Sequence, residues 1–390
     1  MKKIPKKNLA ELSKTMSVIS DFEKDQYWGM YSKQTNPKLS LEQSVLRDGL
    51  FHGGAGLCLL YYHTEQRLKQ AQLKEKAETS YQTMLANLKN CPVVDFENGL
   101  AGIGWVMEYL RQNNFVDVNI DEILEFADNA VFNKLVNEEP IQSLDLANGL
   151  TGYLLYCISR LESPVDTNST TYNINKELLI FIINRIDEVA IRQFALYNKD
   201  MNFDLLWSFP VMLYGLTLAH ELNIYNYKIE YMITQWLDNL EVLFPSLHIN
   251  RVYMAMVLTL VSRCVKNPRI ERQSRFLLST TDFATLRREI DPCVANIRYG
   301  WYGIIWVLKR ATRILSQEHP NYENLKMCYD ELNDLYKPEL EKSAQKFVDY
   351  VKQSQEKNET PTLYIKDIGL SEGWAGISLM ELINPAMSYK

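Results

Sequence analysis

A polar residue, a glycine, two further residues and a second glycine, followed by an apolar run, recur along this chain and limit its fold more than any other feature. The clearest copies are His52-Gly53-Gly54-Ala55-Gly56-Leu57, Asn98-Gly99-Leu100-Ala101-Gly102-Ile103, Asn148-Gly149-Leu150-Thr151-Gly152-Tyr153 and Glu372-Gly373-Trp374-Ala375-Gly376-Ile377. Tyr299-Gly300-Trp301-Tyr302-Gly303-Ile304 is another. The run Ser208–Gly215 keeps only its second glycine, and the stretch after His248 completes a count of seven by spacing alone. Gly53 to Gly99 spans 46 positions and Gly99 to Gly149 spans 50. At about 1.5 Å of rise per residue, that period holds two helices and their connections. Self-similarity at such a period is the mark of a repeat architecture, here of helical hairpins.

The two helices of each hairpin differ in pattern. Leu57–Tyr62, Ile103–Leu110 and Ile304–Leu308 are apolar nearly all round, as in a helix buried on every side. Between them lie amphipathic segments: Ala77, Tyr81, Met84, Leu85 and Leu88 share one helical face, as do Leu124, Ala127, Val131 and Leu135. Similar segments fall at about 173–193, 226–243, 272–290 and 321–356. The expectation is one all-α domain over 1–390, a toroid of seven inner and seven outer helices. Residues 1–44 supply an outer helix, and 45–385 form the repeat region, whose last inner helix meets the first.

A glycine inside a helix costs about 1 kcal/mol relative to alanine, so its recurrence needs a reason. Placed at helix starts, the paired glycines would let inner helices approach closely and leave the first-turn N–H groups open toward the mouth of the ring. Seven such N-termini would favour an anion, a thiolate or a peptide carboxylate there.

Charge and cysteine usage narrow the function classes. A net charge of -6 gives no basic field for a nucleic-acid backbone. The six cysteines are scattered, with no C-x-x-C pair, so neither a zinc ribbon nor a disulfide framework is indicated. A reducing cytoplasm is expected. Lys2, Lys3, Lys6 and Lys7 lead into polar sequence rather than the apolar stretch of a signal peptide. The longest apolar runs, such as Val252–Val261, fall short of the roughly 20 residues that span a bilayer.

The repeats resemble those of the lanthionine cyclases, with the likeness covering about residues 45–385. The family's inner helices open with the same Gly-x-Ala-Gly-Ile signature. The resemblance implies a zinc ion held by Cys, Cys and His at the ring's mouth, where it activates a peptide thiol for addition to a dehydrated serine or threonine. An Asp and a His manage the protons. Carried over by position, the family's Trp-Cys-Tyr-Gly motif falls on Ile297-Arg298-Tyr299-Gly300, and its Cys-His-Gly motif falls on Ser371-Glu372-Gly373. Arg298, Ser371 and Glu372 thus replace the ligands, and a cation beside a hard oxygen donor does not make a zinc site. No metal ligand and no cofactor are expected. The family's His-Gly motif falls near Val211-Met212, while Asp145 matches the acid–base position.

Asp145 is therefore the candidate catalytic residue. His52, Glu97, Asn98, Asn148, Trp207, His248, Arg298, Tyr299, Trp301, Ser371, Glu372 and Trp374 are the candidate binding residues of the mouth. Arg298 and Glu372 are expected to pair where the family has its metal. Simple capping of helix starts would also explain Asp145, Asn148, Asn98 and Glu97. The leading reading is a zinc-independent protein of peptide modification whose mouth binds a precursor peptide or serves a partner modification enzyme. Metal-free thioether addition with Asp145 or Glu372 as base is a second reading. Glycoside chemistry using pairs among Glu97, Asp145 and Glu372 is a third.

Overall fold

The computed structural model describes residues 48–69, 71–162, 164, 166–197, 202–336, 338, 370–373, 376–377 and 379–380. The expected N-terminal outer helix, most of the last outer segment and Trp374 lie outside them. Among the described residues every regular element is helical, with no strand. The chain divides into two compact units, Met1–Asn87 with Asn333–Lys390, and Leu88–Leu332.

In the first unit, α1 (Gly54–Leu68) and α2 (Ala71–Asn87) form a closely packed hairpin. Leu57–Tyr62 are all buried, as an inner helix requires, and α2 applies Ala77, Tyr81 and Met84 to the core while leaving its other faces wet. The chain's last repeat joins its first within this unit. The N–H groups of Leu370 and Ser371 donate to Phe51 O at 2.7 and 3.3 Å.

The second unit carries the middle five repeats. Its inner helices are α3 (Leu100–Gln112), α5 (Leu150–Glu162), α7 (Ser208–Glu221), α10 (His248–Cys264) and α13 (Trp301–Ile314), and each packs on the next in that order. Outside them lie α4 (Ile120–Val136) on α3 and α6 (Thr170–Tyr197) on α5. Further along, α8 (Asn226–Gln235) lies on α7, while α11 (Pro268–Ser279) and α12 (Phe283–Glu289) lie on α10. A short α9 (Leu237–Val242) follows α8 and packs on α11. The stripe Leu124, Ala127, Val131 and Leu135 is buried, each such leucine contributing about 1.5–3 kcal/mol relative to exposure.

The glycines act differently from the sequence expectation. Gly99 is the N-cap of α3 at φ -115°, a conformation open to any residue. What forbids a side chain is space: a Cβ there would lie 2.6 Å from Asp95 N and 2.7 Å from Val93 O, in its own lead-in loop. Because that loop lies so close, its carbonyls take the first-turn donors of α3. Leu100, Ala101 and Gly102 N–H donate to Val93, Val94 and Asp95 O at 3.0, 3.2 and 3.4 Å. The first residues of α5 and α13 repeat the pattern, Leu150 on Ser143 O and Trp301 on Val294 O. The expectation of helix N-termini open to a ligand is corrected here, because these donors are capped from within. Close approach between repeats does occur at the second glycine, since a Cβ on Gly152 would meet Phe96 Cβ, one repeat earlier, at 2.5 Å.

The degenerate repeats fall into register by helix start. Gly56, Gly102, Gly152 and Gly303 are each the third residue of their helix, and in α7 that residue is Pro210, tolerated because a first-turn N–H needs no helical partner. Gly215 lies five residues further on, opposite Leu154 of α5, and is not the repeat's second glycine.

Candidate functional site

The lead-in loops place most of the expected mouth residues at equivalent positions. His52, Asn98, Asn148, Tyr299 and Glu372 each immediately precede a glycine, and Glu97, Arg298 and Ser371 stand one residue earlier. Asn148 and Tyr299 are exposed, while His52, Glu97, Asn98, Arg298 and Glu372 are half-buried. Ser371, Trp207 and Trp301 are buried. The loops are also stitched together. Phe96 and Glu97 N–H both donate to Ala147 O at 3.0 Å, the arrangement that Leu370 and Ser371 make with Phe51.

The fourth repeat departs from this order. Leu205 N–H donates to Arg298 O at 2.8 Å, so the loop before α7 joins the loop before α13 and passes over the fifth repeat. Tyr253 of α10 supports the crossing from below, its buried hydroxyl donating to Leu205 O at 2.9 Å. His248, first residue of α10, is turned to α12 instead. Its N–H meets the Glu289 carboxylate, and its Nδ1 accepts the Asp282 N–H at 3.0 Å. Of the expected residues of this unit, the structure therefore groups Asp145, Trp207, Arg298 and Tyr299 around the joined loops and sets His248 apart.

Arg298 is bound by a residue that sequence reading passed over. Its Nε and Nη2 donate to Asp204 Oδ1 and Oδ2 at 3.2 and 3.4 Å, and its guanidinium lies 4.7 Å from the Tyr299 ring centre. Asp204 was hidden in the degenerate repeat, with no local pattern to mark it.

Asp95, Asp145 and Asn296 occupy one position, four residues before the capping glycine, and test the capping explanation. Asp95 Oδ1 accepts the Asn98 N–H at 2.8 Å, and Asn296 Oδ1 accepts the Tyr299 and Gly300 N–H at 2.7 and 3.1 Å. Burial pushes the Asp95 carboxyl up, the nearby Glu97 charge adds to the rise, and the turn's N–H groups oppose it. Asp145 does something else. Its Oδ2 accepts the Ser143 hydroxyl at 2.7 Å, and its Oδ1 accepts the hydroxyl of Ser208, which opens α7. Capping accounts for Asp95 and leaves Asp145 unexplained.

Among the described residues no three His, Cys, Asp or Glu side chains are placed to hold a metal ion. At Arg298, where the resemblance puts a zinc ligand, the side chain is a guanidinium held by Asp204. The six cysteines form no disulfide, and burial raises the thiols of Cys157, Cys264 and Cys328, the last to about 11.

Residues 44–209 match the sequence model of the family described as lanthionine synthetase C-like protein. These residues belong to the lanthionine synthetase C-like family. The match takes in three complete repeats, Asp145 and Ser208, and ends as α7 begins. Arg298, Ser371 and Glu372 lie beyond it. A solved structure titled nisin cyclase aligns with a TM-score of 0.56 at 15% identity, over 88% of this chain and 93% of that one. The likeness shows the fold, an α/α toroid, as the repeats led one to expect. No curated protein matches the chain in sequence. Among the described residues no helix is long and apolar enough to cross a membrane.

A second cluster, unforeseen in the sequence, lies toward the far ends of α3 and α5. Arg160, its side chain only 2% exposed, reaches Glu108 at 3.1 Å, Asp121 at 2.8 Å and Asp128 at 2.9 Å. Tyr156 and Asn175 also donate to Asp128. The guanidinium ties α5 to α3 and α4, and Asp128 in turn ties in α6 through Asn175. Its remoteness from the loops marks it as scaffold.

Proposed function

We propose that this is a peptide-modification protein that works without zinc, holding a precursor peptide, or its complex with a modifying enzyme, at the joined lead-in loops. The family match and the fold shared with a protein titled nisin cyclase support a role in peptide modification. The single observation that carries the zinc-independent part is the Arg298–Asp204 ion pair. A fixed guanidinium repels a divalent cation and offers no lone pair, whereas zinc requires several deprotonated N or S donors. An exposed tyrosine stacked on that guanidinium, with Asp145 and Asn148 exposed on a neighbouring loop, provides donors, acceptors and an apolar ring for an extended peptide.

A second reading has an observation of its own. The Asp145 carboxylate accepts the hydroxyl of Ser143 in its own loop and that of Ser208 in the next repeat, which leaves an exposed carboxylate available as a base toward a substrate thiol. In that reading the carboxylate takes the thiol proton as sulfur adds to Cβ of a dehydroalanine and then returns it to the enolate at Cα, completing the thioether without metal.

Fluorescence anisotropy with a fluorescein-labelled peptide containing one cysteine and one dehydroalanine tests both. Saturable binding that persists in excess chelator is expected. Thiol alkylation followed by mass spectrometry then separates the readings, since a thiol that stays alkylatable after incubation means binding without cyclisation. Failure to bind any such peptide overturns the proposal.

A further inference from the structure

Ser208 belongs to no motif, yet its hydroxyl makes the one departure from the repeat pattern that involves an exposed acid. In the second and sixth repeats the equivalent side chain folds onto its own turn, through Asn98 N–H or through Tyr299 and Gly300 N–H. In the third, the Asn148 N–H makes no corresponding bond to Asp145, whose carboxylate instead reaches the next repeat.

We propose that Ser208 is a positioning residue that draws the Asp145 carboxylate off its own turn and presents it to the bound peptide. The inference rests on the peptide reading above.

The two serines play unequal parts. Ser143 is two residues from Asp145, its Oγ accepting the Asp145 N–H at 3.0 Å, so it moves with the loop. Ser208 reaches across from α7 and is anchored on both sides by buried Trp207 and Phe209. Trp207 N–H donates to Asp204 O at 3.0 Å, and Asp204 holds Arg298, so the hydroxyl is tied to the joined loops. Among the described residues the Asp145 carboxylate meets these two hydroxyls and no cationic side chain, and the residue is exposed. A carboxylate fixed at both oxygens can accept a thiol or N–H donor from a peptide with little reorganisation.

The test compares Ser208→Ala, Ser208→Thr and Asp145→Asn with the wild type. With the cross-repeat hydroxyl gone, the carboxylate should fall back on its turn and take the Asn148 N–H as Asp95 takes that of Asn98. Amide hydrogen exchange at Asn148 should then slow about tenfold in S208A and keep its wild-type rate in S208T, as expected for a local opening that has gained a bond. Binding of the same labelled peptide should weaken about tenfold in both S208A and D145N, the loss of a charge-assisted hydrogen bond, and recover in S208T. Unchanged Asn148 exchange in S208A overturns the role of Ser208 even where the peptide binds, and so does wild-type affinity in S208A beside a weakened D145N. A wild-type protein that binds no peptide overturns the peptide reading itself.

Discussion

Arg298 meets Asp204 across 94 residues of sequence, its Nε and Nη2 on the two carboxylate oxygens, and the pair locks the loop before α7 to the loop before α13. The side chains are 23% and 18% exposed, so solvent screens them only in part. Asp204→Asn should cost about 1 kcal/mol of stability, since it leaves a half-buried guanidinium with a neutral partner. Urea denaturation checks this. A double-mutant cycle with Arg298→Ala should return a coupling of the same size, and additive effects would mean that the two charges do not interact.

Arg160 should matter more. Breaking a buried ion network by removing one partner costs about 3–5 kcal/mol, because the carboxylates left behind stay desolvated. Arg160→Met leaves Glu108 and Asp128 in that condition, Glu108 retaining only Arg111 and Gln112. A loss below about 1 kcal/mol in urea denaturation would mean that water or a neighbour compensates.

The glycines make opposite predictions according to what a Cβ would meet. On Gly303 it would fall 1.8 Å from Ile297 O, a backbone atom that cannot step aside. Gly303→Ala should therefore destabilise by about 3 kcal/mol or more, at the upper end of overpacking effects. On Gly215 the nearest atom is Leu154 Cδ2 at 3.0 Å, the end of a flexible side chain. Gly215→Ala should be within about 1 kcal/mol of neutral, as helix propensity gained offsets the squeeze. Thermal unfolding of both variants distinguishes them.

Burial, with help from the Arg67 charge, lowers the His63 imidazole to about 4. An unfolded histidine takes its proton near 6.5, so between those values the unfolded chain binds more protons than the folded one. Stability contributed by neutral His63 is thus fully present above about pH 6.5 and is lost as pH falls toward about 4. Between pH 7 and pH 5 the loss should be about 2 kcal/mol. His63→Gln should flatten that part of the profile, read as urea midpoints at the two pH values. An unchanged slope would assign the effect to other groups.

What the sequence revealed follows from how far apart the interacting residues lie. The hairpins were legible because a glycine pair and an apolar run are local signals, and α3, α5 and α13 begin where those signals put them. The helix opening at His248 was found by spacing. The fourth repeat was misaligned because Pro210 took the place of a glycine and Gly215, a packing glycine, resembled the missing one. The purpose of the glycines is not legible for a related reason: the loop that folds back on its own helix and caps it leaves no mark in the residue pattern. Asp145 was singled out from the family pattern, but its release from the turn could not be seen without Ser208, 63 residues away. Arg298 stands out by its position before a repeat glycine, while its partner Asp204 carries no signal.

Zinc content is the most direct measure of the central claim, a peptide-handling relative of the cyclases that operates through fixed side chains and not through a metal. Protein purified from zinc-supplemented cells and dialysed without chelator should hold far less than one equivalent by inductively coupled plasma mass spectrometry, with Arg298→Ala no different. One tightly held zinc per chain would contradict the account.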